Sequence, residues 1–255
     1  MRLTFIEAAS GTPLVKRFTQ DKTQPYPNVS AVNSHEYEVT NDHKGLKDFY
    51  DLLQENSKKG WALLRGPLTR ELVNESRRGR HDKHALTQRV TLDFDGIHTD
   101  VFKLVNCDET GLRTMAEYLL GLLPEDFADV SYVAQASSSF GRKTDAVSLH
   151  IEFFLDAEVS PTELKRFLEK LNFENSDLKD QIKLSSNALA LCWPLDVSVA
   201  DNSKIIFIGT PVFDNVQNPF ENDENRIIFV QKQAATLNSA VIRDVDPAEL
   251  RSQRN

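Results

Sequence analysis

Apolar residues recur along the chain at two periods, and the switches between them mark out the expected elements. Leu46, Phe49, Leu52 and Leu53 fall at helical spacing, so a helix is predicted from about Lys44 to Lys58, ended by Gly60. Trp61-Ala62-Leu63-Leu64 follows as a short buried strand. Arg89-Val90-Thr91-Leu92-Asp93-Phe94-Asp95-Gly96 is β-branched and apolar until it stops at a glycine, which predicts a central strand with two carboxylates at its end. Leu112, Met115, Leu119 and Leu122 give a second helix over about Glu109 to Leu123, with Pro124 beyond it. Val130 to Ala134 is the next strand candidate. Val147 to Leu155 alternates: Val147, Leu149, Ile151 and Phe153 take one face, and Ser148, His150 and Glu152 the other. Ser160-Pro161-Thr162-Glu163 is a capping box with proline at the first helical position, opening a helix that turns Leu164, Phe167, Leu168 and Leu171 inward.

Shorter runs complete the pattern. Pro25-Tyr26-Pro27-Asn28 reads as a loop, and His35 to Val39 alternates as an edge strand does. Leu191 to Val199, Lys204 to Ile208 and Arg226 to Val230 are expected as later strands. Several strand pairs follow one another with no room for a helix, so an α+β class with a mixed or antiparallel sheet is expected rather than a doubly wound parallel one. The domain reading is a smaller N-terminal α/β part over residues 1–60, a core over 61–235, and a polar tail over 236–255 that leads to a boundary with a further domain.

Composition narrows the classes. The chain has 255 residues, of which 40% are hydrophobic and 27% charged, so it can bury a substantial core. No apolar run approaches the roughly 18 to 20 residues needed to cross a bilayer. The first residues, Met1 to Glu7, contain no apolar stretch of signal-peptide length, and Cys107 and Cys192 form no pair motif. A cytoplasmic location in a bacterial or host cell is expected. The net charge of −8 excludes a globally basic nucleic-acid binder but not a local basic surface. Such a surface is offered between Arg65 and Arg89, where Arg70, Arg77, Arg78, Arg80 and Lys83 outnumber the acids; a solvated helix and loop is the plainer reading.

Three patterns carry chemistry. Asp93 and Asp95 stand two apart on a strand, so their carboxylates share a face with Cα atoms roughly 7 Å apart, a spacing that suits shared divalent cations. Ser148 and His150 share a strand face and can each donate to a phosphate, with Arg142 and Lys143 nearby in a hydroxyl-rich loop. Asp196 is an isolated acid in an apolar stretch, where a ligand or ion-pair role is expected. Alone, each pattern is also compatible with strand-end acids or a half-exposed histidine.

Taken in order, acid-x-acid, Ser-x-His and hydrophobic-Asp resemble the three motifs of the archaeo-eukaryotic primase superfamily, in particular the primase-polymerases of phages and plasmids. The matching residues are Leu92-Asp93-Phe94-Asp95, Ser148-Leu149-His150 and Leu195-Asp196, and the resemblance covers about Trp61 to Pro211. It implies a catalytic core related to the RNA-recognition fold and a template-directed nucleotidyltransferase, a DNA primase or polymerase. Asp93, Asp95 and Asp196 would bind two Mg²⁺ or Mn²⁺ ions, and Ser148 and His150 would grip a nucleoside triphosphate. Arg142, Lys143 and Lys204 would be secondary phosphate contacts, Lys204 standing where the family places arginine. Arg77, Arg78, Arg80 and Lys83 would follow a single-stranded DNA template, and a helicase domain or protein is a possible partner. No zinc is expected, because His81, His84 and Cys107 lack a fourth ligand.

Two rivals remain. Asp93-Phe94-Asp95-Gly96 also resembles the first motif of haloacid-dehalogenase-type phosphatases, which would make Asp93 a nucleophile and Asp95 a general acid. Against it, a long stretch precedes the motif and Ile97 replaces the expected threonine. The other rival is a catalytically inactive, DNA-binding replication-initiator domain.

Overall fold

The computed structural model describes residues 1–99, 102, 104, 106–143, 145–185 and 190–254. In chain order the elements are β1 Arg2–Ala8, β2 Arg17–Phe18, β3 Thr23–Gln24, β4 Val32–Glu38, α1 His43–Lys58, β5 Ala62–Leu64, β6 Thr87–His98, α2 Glu109–Leu120, β7 Tyr132–Ala136 and β8 Ala146–Val159. They continue with α3 Pro161–Glu174, α4 Ser176–Lys179, β9 Lys183–Leu184, β10 Leu191–Cys192, β11 Ile205–Phe207, β12 Val212–Phe213, β13 Ile227–Val230, β14 Thr236–Leu237, α5 Ala240–Arg243 and α6 Pro247–Arg254. The fold is mixed α+β with mainly antiparallel sheets.

Helix ends follow their sequence signals. Asp42 caps α1 by accepting from the Gly45 N–H, and Gly60 adopts φ +70°, a left-handed conformation that stops the chain from continuing as helix. The capping box of α3 is complete, with Ser160 and Glu163 each accepting from the other's backbone N–H.

The central sheet is built on β8. One edge of β8 pairs along its length with β6, and the other pairs first with β7 and then with β14, while β13 flanks β7. Alternation sends Val90, Leu92, Phe94, Leu149, Ile151 and Phe153 into a fully buried layer under α2, α3 and Phe127, whose ring meets those of Phe153 and Phe167. The opposite face carries Arg89, Thr91, Asp93, Glu152, His150 and Gln135. It is covered by α1 and by a second sheet of order β11-β5-β1-β4. Gln135 Nε2 donates to the Ile208 carbonyl and Arg89 Nη2 to that of Leu64, tying the two sheets across this polar layer.

Three expectations are corrected. The boundary drawn at residue 60 cuts through one sheet, because β1, which pairs with β4 before it, also pairs with β5 from beyond it, and β5 pairs in turn with β11. Residues 236–254 are not a loose tail: β14 joins the central sheet, and the buried Ile242 and Leu250 seat α5 and α6 against α3. Asn255 lies outside the described residues. The strand expected over 191–199 shrinks to the two residues of β10, followed by a turn and a 3-10 helix at Val197–Ala200. Among the described residues no helix is long and apolar enough to cross a membrane.

Candidate active site

The site forms where β6 stops pairing regularly. Asp93 lies opposite His150 in the ladder, but the register shifts between Phe94 and Ile97. Gly96 sits at the shift with φ +69°, and its N–H donates to Ser148 Oγ at 2.9 Å. This bulge releases Asp95 from the ladder, and it lies exposed while Asp93 stays half-buried.

The freed edge of β6 is taken by a short extended segment. Asp95 N–H donates to the Pro194 carbonyl at 2.9 Å, and Asp196 N–H donates to the Asp93 carbonyl at 2.8 Å, so Leu195 bridges Phe94 as an added strand would. Buried Asn172 of α3 fixes this segment. Its Oδ1 accepts from the Leu195 N–H at 3.1 Å, and its Nδ2 donates to the Leu195 carbonyl at 2.8 Å. Asp196 is therefore brought beside Asp93 by two backbone bonds and one helix side chain.

Asp93, Asp95, Asp196, His150 and Lys204 line one cavity of about 270 Å³. Asp196 Oδ1 accepts from the Ser198 N–H at 2.8 Å, and Oδ2 accepts from Ser198 Oγ at 2.7 Å and from Lys204 Nζ at 3.0 Å. Burial pushes its pKa up, but the Ser198 and Lys204 donors win and hold the carboxyl below the usual aspartate value. His150 Nε2 stands 3.4 Å from Asp93 Oδ1, and its Nδ1 is buried without a hydrogen-bond partner. Burial disfavours the imidazolium, yet the Asp93 carboxylate, helped by Glu152 and Asp95, outweighs it and raises the pKa above the ordinary histidine value.

Part of the remaining lining comes from an N-terminal stretch whose sequence pattern carries no such signal, and part from the hydroxyl-rich loop. Tyr26 and Lys16 reach the cavity from the N-terminal part, and Ser137, Ser138 and Ser139 from the loop after β7. Tyr26 stacks flat on Phe207 with centroids 3.5 Å apart, and its hydroxyl bonds Ser138 Oγ. Burial, with the Asp93 charge adding to it, pushes the phenol up to about 12, so it remains a neutral donor.

Other predicted site residues are elsewhere. Ser148 does not line the cavity; its hydroxyl secures the bulge at Gly96. Arg142 lies over the Phe18 ring at 4.9 Å, and Lys143 is exposed outside the lining. Arg77 is half-buried, donating to the Ser203 carbonyl at 2.9 Å, which makes it a brace for the segment leading to Lys204. Arg78, Arg80 and Lys83 are exposed. Lys83 shares a wide surface depression with Lys165, Arg166 and Lys204.

All-oxygen donors from three carboxylates suit a hard divalent cation. Among the described residues, no three acid, histidine or cysteine side chains are already gathered as an ion-holding group. The carboxylates of Asp93 and Asp196 instead face cationic partners, His150 and Lys204. Protein cations thus stand against both carboxylates. Comparison of the chain with protein-family models, with curated proteins and with solved structures gave no match.

Proposed function

We propose that this chain is a template-directed nucleotidyltransferase of the primase-polymerase type, joining a 3′-hydroxyl to the α-phosphorus of a nucleoside triphosphate. The observation that carries the reading is the meeting of Asp93, Asp95 and Asp196, from two segments far apart in sequence, on one small cavity with His150 and Lys204. A phosphatase working through an aspartyl phosphate needs a nucleophile and an acid from the first pair alone and gives Asp196 no task. A binding domain without chemistry gives none to the convergence at all.

Divalent ions held by the three aspartates would lower the pKa of the attacking hydroxyl and neutralise charge on the reacting phosphate. The chain's own groups do the rest. The hydroxyl oxygen forms its bond to the α-phosphorus, its proton passes to solvent, and the bond to the bridging oxygen breaks with pyrophosphate leaving. Lys204, Lys16 and the imidazolium of His150 meet the triphosphate charge from the cavity wall, and the hydroxyls of Ser137 to Ser139 supply neutral donors. The flat Tyr26–Phe207 pair gives that wall a rigid aromatic surface. A single-stranded template would follow the exposed basic residues Arg78, Arg80 and Lys83.

The deciding experiment incubates the chain with single-stranded DNA, Mn²⁺ and labelled nucleotides, with and without a primer. Incorporation that disappears in Asp93→Ala and Asp196→Ala is expected. Full incorporation by folded Asp93→Ala overturns the reading.

A further inference from the structure

A second buried polar centre lies at the opposite end of β6, away from the aspartates. Arg65, just beyond β5, is 3% exposed, and its Nε and Nη1 are buried with no hydrogen-bond partner. A guanidinium carries five N–H donors and a permanent charge, so leaving it unmatched in an interior is costly. The nearest acid is already used. Glu152 accepts from Arg89 Nη1 at 3.1 Å, and both its oxygens accept from Thr91 Oγ1, at 3.0 and 2.9 Å. Arg89 also donates from Nη2 to the carbonyls of Leu64 and Arg65, so two guanidiniums share the surroundings of one carboxylate. Burial, reinforced by the Arg89 charge, pulls the Arg65 guanidinium down to about 9, which still leaves it cationic at neutral pH.

This centre is open to solvent on one side. A cavity of about 300 Å³, separate from the aspartate site, is lined by Arg65, Arg89 and Arg2, with Thr4 and Thr87 adding hydroxyls and exposed Glu158 among the lining residues. The volume is about ten times the share of a liquid water molecule, enough for a tetrahedral anion and its hydration. Guanidinium groups match phosphate geometry through paired N–H donors.

We propose that this cavity is an oxyanion site that takes a phosphate group, free or carried by a nucleotide, with Arg65 as its principal ligand and Arg89 and Arg2 as flanking charges. The bound anion supplies the negative partner that the chain itself withholds from Arg65. The site does not depend on the nucleotidyltransferase reading.

The test measures melting temperature in sodium phosphate against sodium chloride of equal ionic strength. To exclude the aspartate cavity, it is run on the His150→Gln/Lys204→Met double variant as well as on the unaltered chain. A saturable rise in both is expected. Arg65→Met should lose the phosphate response while melting at or above the unaltered chain in chloride, because a buried unpaired charge has been removed. Should that variant fail to fold, calorimetric titration of the double variant with inorganic phosphate decides by itself: saturable binding is expected. A parallel titration with a nucleoside 5′-monophosphate identifies the source, tighter binding marking a nucleotide and equal binding free phosphate. Absence of any phosphate response beyond that of chloride, or an undiminished response in Arg65→Met, overturns the proposal.

Discussion

The backbone N–H of Asp196 donates to the carbonyl of Asp93 at 2.8 Å, so two acids more than a hundred residues apart in sequence are fixed to each other by main chain rather than by their side chains. Their carboxylates are thereby free for other partners, His150 and Lys204 at present. Substituting either acid should accordingly leave the segment in place. Asp93→Ala is expected to abolish nucleotide incorporation with little change in melting. Asp196→Ala should also abolish it, and lose about 1 kcal/mol with the bonds to Ser198 that cap the 3-10 helix. Primer extension and thermal unfolding of the same preparations check both halves, and unfolding of Asp93→Ala would show that its role is structural.

Asn172 is where the site depends on a residue that never touches the cavity. Replacing it with Ala leaves the buried N–H and carbonyl of Leu195 without partners, a loss of about 2–4 kcal/mol. Asn172→Ala should therefore melt early and, at temperatures where it stays folded, incorporate nucleotides more slowly because Asp196 is no longer registered against Asp93. Wild-type incorporation by the folded variant would mean that the β6 edge alone registers the segment.

The parts of this arrangement differ in how far the sequence discloses them, and the reason is periodicity. Asp93 with Asp95, and Ser148 with His150, sit on strands whose two-residue alternation reports which side chains share a face. Alternation says nothing about Asp196, which reaches the site on an irregular turn held by a helix asparagine, so a strand was expected where a 3-10 helix is found. Tyr26 and Lys16 belong to a stretch with no period, and only the folded chain carries them to Ser138 and Asp93. Arg65 is the opposite case: a basic stretch suggests solvent exposure, whereas pairing of β5 with β11 places this arginine inside, as β6 does Arg89.

His150 predicts a pH dependence with a definite sign. Its folded pKa is raised above the ordinary 6.5, so the imidazolium is favoured by the fold. The resulting stability is fully present below 6.5 and is lost as pH rises through the folded value. The stability difference between the unaltered chain and His150→Gln should therefore be larger at pH 5.5 than at pH 8.5, and a ¹³C or ¹⁵N titration should place the imidazole above 6.5. A larger difference at the alkaline end would reverse the assignment and make burial the dominant influence.

The Arg89–Glu152 pair gives the last prediction, and it turns on asymmetry. Both side chains are nearly inaccessible, at 3% and 4%, so breaking the pair leaves whichever charge remains buried without its partner. Removing the acid by Glu152→Gln leaves two cations, Arg89 and Arg65, with no buried counter-charge, and should destabilise by about 3–5 kcal/mol or more. Arg89→Met removes one cation but leaves Arg65, whose charge already interacts with Glu152, available to the carboxylate. It should cost less than Glu152→Gln, although Arg89 also gives up its bonds to the Leu64 and Arg65 carbonyls. Urea unfolding of the two single variants and the double variant at pH 7 measures the order directly. If Arg89→Met proves the more damaging, Arg65 does not share Glu152, and its charge must be balanced from the cavity side alone.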